Sequence, residues 1–159
     1  MAAPEASVDL IGTIERLWHD EIPLSSHLGV RLERLDPQGV ELRAPLAPNR
    51  NHMGTGFAGS VLAASSLAGW ATVIAVLGRV DGVNVVLQET QASFLEPVTD
   101  EFRVLATAPD LAARERFLDA YRRRGRARIA IAIEVVQAER TVLRAESRFV
   151  ATRATKADG

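Results

Sequence analysis

The spacing of apolar residues along this 159-residue chain changes between a helical and a strand period. Residues 7–20 carry apolar side chains at helical spacing, which predicts an amphipathic N-terminal helix. A second, shorter helix is predicted over residues 111–124. Elsewhere apolar and polar residues alternate, as in strands with one buried face. The predicted strands are 30–35, 40–46, 83–95, 101–107, 127–135 and 143–151.

The segment 57–78 differs from the rest because no Asp, Glu, Lys or Arg occurs between Met53 and Gly78. A helix that is apolar on every side must be enclosed by protein or by lipid. The segment is long enough to cross a bilayer. However, about half of it consists of small residues, and alternating strands on both sides of it must join one sheet. These features favour a long helix buried in protein.

Wrapping strands around such a helix gives an α+β architecture, because one flat sheet would cover only one side of it. A strongly curved antiparallel sheet around a long central helix is the hotdog fold. The length of the chain predicts a single domain over residues 1–159, with a frayed tail at 154–159.

Composition narrows the classes of function. The net charge of −1 gives no reason to expect a nucleic-acid partner. Without cysteine, the chain has no disulfide, thiolate metal site or Cys nucleophile, and its three scattered histidines predict no metal site. The acidic N-terminus does not have the pattern of a secretory signal, so we expect a cytoplasmic protein with no membrane association.

Four stretches of sequence resemble the hotdog thioesterases of the YiiD C-terminal type. The most distinctive begins Asn51-His52-Met53-Gly54-Thr55-Gly56-Phe57. The others are 67–70, 93–98 and 123–129, and the resemblance extends over residues 20–153. It implies a thioesterase that acts on acyl-CoA or on an acyl carrier protein. Such an enzyme needs no cofactor, since coenzyme A or phosphopantetheine belongs to the substrate. The family also implies a homodimer or a higher homo-oligomer.

One departure from the wider superfamily concerns the start of the central helix. Those thioesterases often have a Gly-Thr-x-His-Gly-Gly turn followed by an acidic residue two turns into the helix. Here 57–59 reads Phe-Ala-Gly, and Ser66 occupies the position of the acid. The carboxylate that would activate water is therefore absent from the helix.

The candidate catalytic residues lie at and before the start of this helix. We expect the N–H groups of Ala58 and Gly59 to stabilise the thioester oxyanion, since free amides and the helix dipole meet there. Alternatively, these small residues only permit tight packing. His52 is the general-base candidate by chemical type, although it could simply shape the loop. Asn51 could orient water or hold the turn.

Two further catalytic candidates lie within regular elements. Ser66 is seven residues beyond Gly59 and shares its helix face, so its hydroxyl could hold water or bond to a carbonyl one turn earlier. Glu89 interrupts an apolar strand that lies at the subunit interface in hotdog dimers. It could be the missing carboxylate, supplied by the second subunit, or a polar residue facing solvent.

The expected substrate contacts complete the set. We expect Gly54, Thr55 and Phe57 in the turn and Gln91 on the strand to contact substrate. Five arginines between 122 and 128 could attract the phosphates of coenzyme A or an acidic carrier protein. Among them, Arg124 and Arg126 are the candidates. A solvated helix end is the alternative for this run.

Two other functions fit the same sequence. A hotdog dehydratase, hydratase or conjugate-addition enzyme would act on the β-carbon of an enoyl thioester. A non-catalytic acyl-thioester binding module would explain the missing carboxylate.

Overall fold

The computed structural model describes residues 5–155, with side chains described from residue 10 onward. Two helices, α1 (Glu5–Glu21) and α2 (Pro23–Leu28), precede strands β1 (Arg31–Asp36) and β2 (Gly39–Ala44). A short 3₁₀ turn leads to the central helix α3 (Ala58–Leu77). Then follow β3 (Val83–Phe94), β4 (Phe102–Thr107), helix α4 (Leu111–Arg124), β5 (Arg126–Gln137) and β6 (Arg140–Arg153).

The six strands form one antiparallel sheet in the order β1-β2-β4-β5-β6-β3. The sheet is not closed, so β1 and β3 are its two edges. Helix α3 contacts all six strands, which is possible only because the sheet curves around it. The predicted hotdog arrangement is therefore confirmed.

Helix α3 is the core of this arrangement. By length and hydropathy it could cross a membrane, but 67% of its most apolar window is buried inside the protein. At Gly69 the helix lies so close to the sheet that a Cβ atom would be 2.6 Å from the Phe149 ring of β6. Gly78 ends the helix with a φ of 72°, a conformation that glycine adopts without strain.

Two features differ from the pattern-based expectations, and the predicted frayed tail stays a prediction. Residues 23–28, where no helix was predicted, form helix α2, with Pro23 in its first turn and Gly29 ending it at a φ of 67°. In β3, a bulge between Leu87 and Glu89 shifts the register with β6. Of the predicted frayed tail, Ala154 donates its N–H to the Gly82 carbonyl at 3.0 Å, and residues 156–159 lie outside the described residues.

Candidate active site

The loop before α3 is a tight turn built around Asn51. The Asn51 side-chain oxygen accepts hydrogen bonds from the N–H groups of Met53 at 2.9 Å and Thr55 at 3.2 Å. Its amide nitrogen donates to the Thr55 hydroxyl at 2.9 Å. Gly54 adopts a φ of 80° in this turn, which requires glycine. Asn51 therefore holds the turn, with both polar atoms of its side chain engaged.

Backbone contacts attach this turn to the segment that follows β3. The Gly56 N–H donates to the Val98 carbonyl at 2.7 Å, and the Phe57 N–H donates to the Asn49 carbonyl at 2.7 Å. A Cβ atom on Gly56 would lie 2.7 Å from the Val98 Cβ, so a side chain there would push the two segments apart. The start of α3 thus lies beside the end of β3.

The first turn of α3 presents free backbone donors. Phe57 is the N-cap residue, and no side chain that the structure describes caps the helix. Within residues 5–155, the N–H groups of Ala58, Gly59 and Ser60 have no hydrogen-bond acceptor, whereas the Val61 N–H donates to the Phe57 carbonyl. Ala58 and Gly59 are exposed. Three unpaired donors at the positive end of a 20-residue helix form a site for a negatively charged oxygen.

The candidate residues His52 and Phe57, on either side of the turn, are both at the surface. His52 is exposed and makes no hydrogen bond within the described residues, so its imidazole is free to act on water or substrate. The Phe57 ring lies against the first helical turn, since a Cβ on Gly59 would be 2.6 Å from it. This ring is 54% exposed and covers one side of the donors.

Ser66 lies farther along the same face of α3. Its hydroxyl donates to the Leu62 carbonyl at 2.9 Å, the local bond that competes with a role in holding water. The residue lines a cavity of about 360 Å³ between α2, α3 and β3, whose walls are almost entirely apolar. The sequence did not reveal this cavity, because helix α2 forms one of its walls and was not predicted.

Glu89 and Gln91 lie on the outer face of the sheet. Leu87 pairs with Phe149 and Thr90 with the buried Ser147, and these residues face α3. Glu89 instead pairs with Arg148, and their side chains form an ion pair at 3.0 Å. Gln91 donates to Glu89 at 3.2 Å. Within one chain, neither residue is on the face of the sheet that holds α3.

Arg124 and Arg126 are also distant from the start of α3 in the same chain. Both are exposed and flank Gly125, where α4 ends and β5 begins. Arg126 pairs with Thr152, which lies beside the first residues of β3. The start of α3 lies at the other end of that 12-residue strand, which is about 36 Å long. The chain thus separates the candidate phosphate contacts from the candidate oxyanion donors.

The described residues contain no group of three or more His, Asp or Glu side chains that could hold a metal ion together. Residues 51–60 supply free backbone donors and an exposed imidazole, and the apolar cavity lies farther along α3, from Ala63 to Trp70.

Solved structures with this fold include proteins described as thioesterases. A "putative thioesterase" from Shewanella oneidensis is 26% identical, with a TM-score of 0.79 over 91% of this chain and 98% of that one. A protein of unknown function from Chlorobaculum tepidum is 23% identical, with a TM-score of 0.82 over 94% and 98% of the two chains. A "probable thioesterase" from Pseudomonas aeruginosa is 23% identical, with a TM-score of 0.74 over 90% and 95%.

A family model matches the chain from residue 11 to residue 153, from the N-terminal helix to the end of β6. The match includes the turn at 51–56, the free amides of α3 and every strand of the sheet. The chain belongs to the hotdog-fold family described as "Putative thioesterase (yiiD_Cterm)".

Proposed function

We propose that this protein hydrolyses acyl thioesters of coenzyme A or of an acyl carrier protein in the cytoplasm, as a homodimer. The observation that carries the proposal is the uncapped first turn of α3, with free N–H groups at Ala58 and Gly59. Membership of a thioesterase family supports the same chemistry.

In the proposed reaction, the thioester oxygen binds to the amides of Ala58 and Gly59. Water attacks the carbonyl carbon, a C–O bond forms, and the negative charge on the oxygen is stabilised by these donors and the helix dipole. The C–S bond then breaks, giving a carboxylic acid and a free thiol. His52 takes the proton from water and returns it to the leaving sulfur. Loss of one such backbone donor typically costs about 3 kcal/mol in the transition state.

A homodimer would bring the separated parts of the site together. Among residues 5–155, strand β3 pairs with β6 alone, so its other edge is open there, and Leu87 and Phe94 on it are 38% and 46% exposed. An open edge of this length is a template for pairing with another strand. Antiparallel pairing of two β3 edges places the start of one strand beside the end of the other. Arg124 and Arg126 of one subunit would then approach the α3 donors of its partner, where they would bind substrate phosphates.

Thiol release from a panel of acyl-CoA substrates tests the hydrolysis. We expect His52→Ala to lower kcat by about 10²–10⁴-fold, the usual contribution of a general base. Glu89→Gln keeps the size of the side chain while removing its charge, and we expect a smaller loss than for His52→Ala. A larger loss of kcat in Glu89→Gln than in His52→Ala would indicate that Glu89, and not His52, is the general base. An unchanged rate in the double variant His52→Ala, Glu89→Ala would exclude both.

Two outcomes of the same panel would replace this proposal. Loss or gain of enoyl absorbance without thiol release would indicate hydration or addition at the β-carbon. Tight acyl-CoA binding without turnover at any pH would indicate a binding module.

The oligomeric state tests whether two β3 edges pair to form the proposed homodimer. Sedimentation should give a dimer, and Thr90→Lys on the β3 edge should shift it toward monomer with a loss of activity. Arg144→Lys on the outer face of β6 is a control that should leave the dimer intact. A fully active monomer would contradict a site shared between subunits.

A further inference from the structure

The apolar cavity beside α3 continues the same helix face that carries the free amide of Gly59. The helix residues that line it are Ala63, Ser66, Leu67 and Trp70, which follow Gly59 at helical spacing. Ala63 and Ser66, the lining residues nearest to Gly59, are small, whereas Leu67 and Trp70 farther along are large. The face therefore forms a groove that begins at Ala63, one helical turn beyond Gly59, and ends at Trp70.

The other walls are also apolar. Leu24 and Leu28 come from α2, Leu87 from β3 and Phe149 from β6. Ser66, although polar, turns its hydroxyl to the Leu62 carbonyl and so offers no hydrogen to the cavity. A ligand in this space gains from burial of apolar surface and finds little to satisfy polar groups, which fits a hydrocarbon chain.

Trp70 ends the groove as a fixed wall. Its ring packs against Trp18 of α1, with ring centroids 6.4 Å apart and planes tilted by 56°. Trp18 is 2% exposed, so the pair is anchored in the core. A ring held from behind in this way does not move aside as easily as a free surface side chain.

We propose that this cavity holds the acyl chain of the substrate and that Trp70 limits its length to about eight to ten carbons; this rests on the proposed hydrolysis of acyl thioesters. Trp70 is eleven positions beyond Gly59, or about 16 Å along the helix axis. The Trp70 side chain leans toward the N-terminus by roughly one turn, which leaves about 11 Å. An extended chain advances roughly 1.2 Å per bond, so about nine carbons fit.

Chain-length profiles of thiol release, from acyl-CoAs with short to long chains, test this inference. We expect the wild type to prefer chains of about eight to ten carbons. Trp70→Ala should move the optimum to longer chains by about four carbons, since one helical turn of space is gained. Ala63→Leu should fill the near end of the groove and move the optimum to shorter chains. Leu118→Ala, at a half-buried site on α4, should leave the profile unchanged.

Loss of the contact between Trp70 and Trp18 could impair folding, so Trp70→Leu serves as a milder variant with the same expected direction. If the wild type releases no thiol from any substrate, the proposed hydrolysis fails. Calorimetric binding of the same acyl-CoAs then still tests the cavity by its length profile. If thiol is released but the optimum is the same in Trp70→Leu and Ala63→Leu as in the wild type, the acyl-chain assignment is wrong while the hydrolysis stands.

Discussion

The close contact between Gly69 and Phe149 allows a quantitative prediction about how tightly the sheet packs around α3. Gly69→Ala adds a methyl group 2.6 Å from the Phe149 ring and 3.4 Å from Ile133. Replacing glycine by alanine inside a helix normally stabilises by about 1 kcal/mol. Here the added group overfills a packed core, which typically costs about 1–3 kcal/mol. We therefore expect a net loss of up to about 2 kcal/mol.

Gly12→Ala in α1 is the matched control. An added Cβ there meets only the end of the Arg16 side chain at 3.3 Å, which can move away. This variant should gain up to about 1 kcal/mol. Urea unfolding of both variants measures the difference, expected to be about 1–3 kcal/mol. If Gly69→Ala were as stable as Gly12→Ala, the close packing of α3 against β6 would be refuted.

Three further predictions concern turns. Asn51→Ala should lower kcat/KM about tenfold, equivalent to about 1.4 kcal/mol, because two N–H groups of the turn lose their acceptor; Asn51→Asp keeps the acceptor and should retain more activity in the same thiol-release assay. Gly56→Ala should lower both melting temperature and activity, since its Cβ would collide with Val98; a fully active variant would contradict this. In the β5–β6 turn, Ala138 and Glu139 have φ values of 44° and 61°, so Ala138→Asn with Glu139→Gly should raise the unfolding free energy by about 1 kcal/mol.

Much of the fold could be predicted from the sequence because its patterns are long and regular. The charge-free segment 57–78 predicted the central helix to within one residue at each end. The alternation of apolar and polar residues located the strands. Helix α2 was missed because six residues are too few to show a helical period. Its signals were Pro23 at the start and Gly29 at the end.

The site was less predictable, since its chemistry depends on contacts distant in sequence. From the sequence, Asn51 could equally have oriented water or held the turn. Its hydrogen bonds show that it holds the turn. Glu89 could not be assigned to a face, because a bulge at Gln88 changes which side chains point toward α3. The free amides, in contrast, follow directly from where the helix begins.

Phe57 at the N-cap of α3 makes the protein less stable than a polar N-cap residue would, but it leaves the backbone donors free. Helices usually begin with Ser, Thr, Asp or Asn, and such a residue in place of Phe57 would stabilise the protein by about 1 kcal/mol. The oxygen of that side chain would occupy a backbone donor that the proposed mechanism assigns to the thioester oxygen. A search for heat-resistant variants of this protein would therefore favour polar residues at position 57 and would select against the proposed hydrolysis.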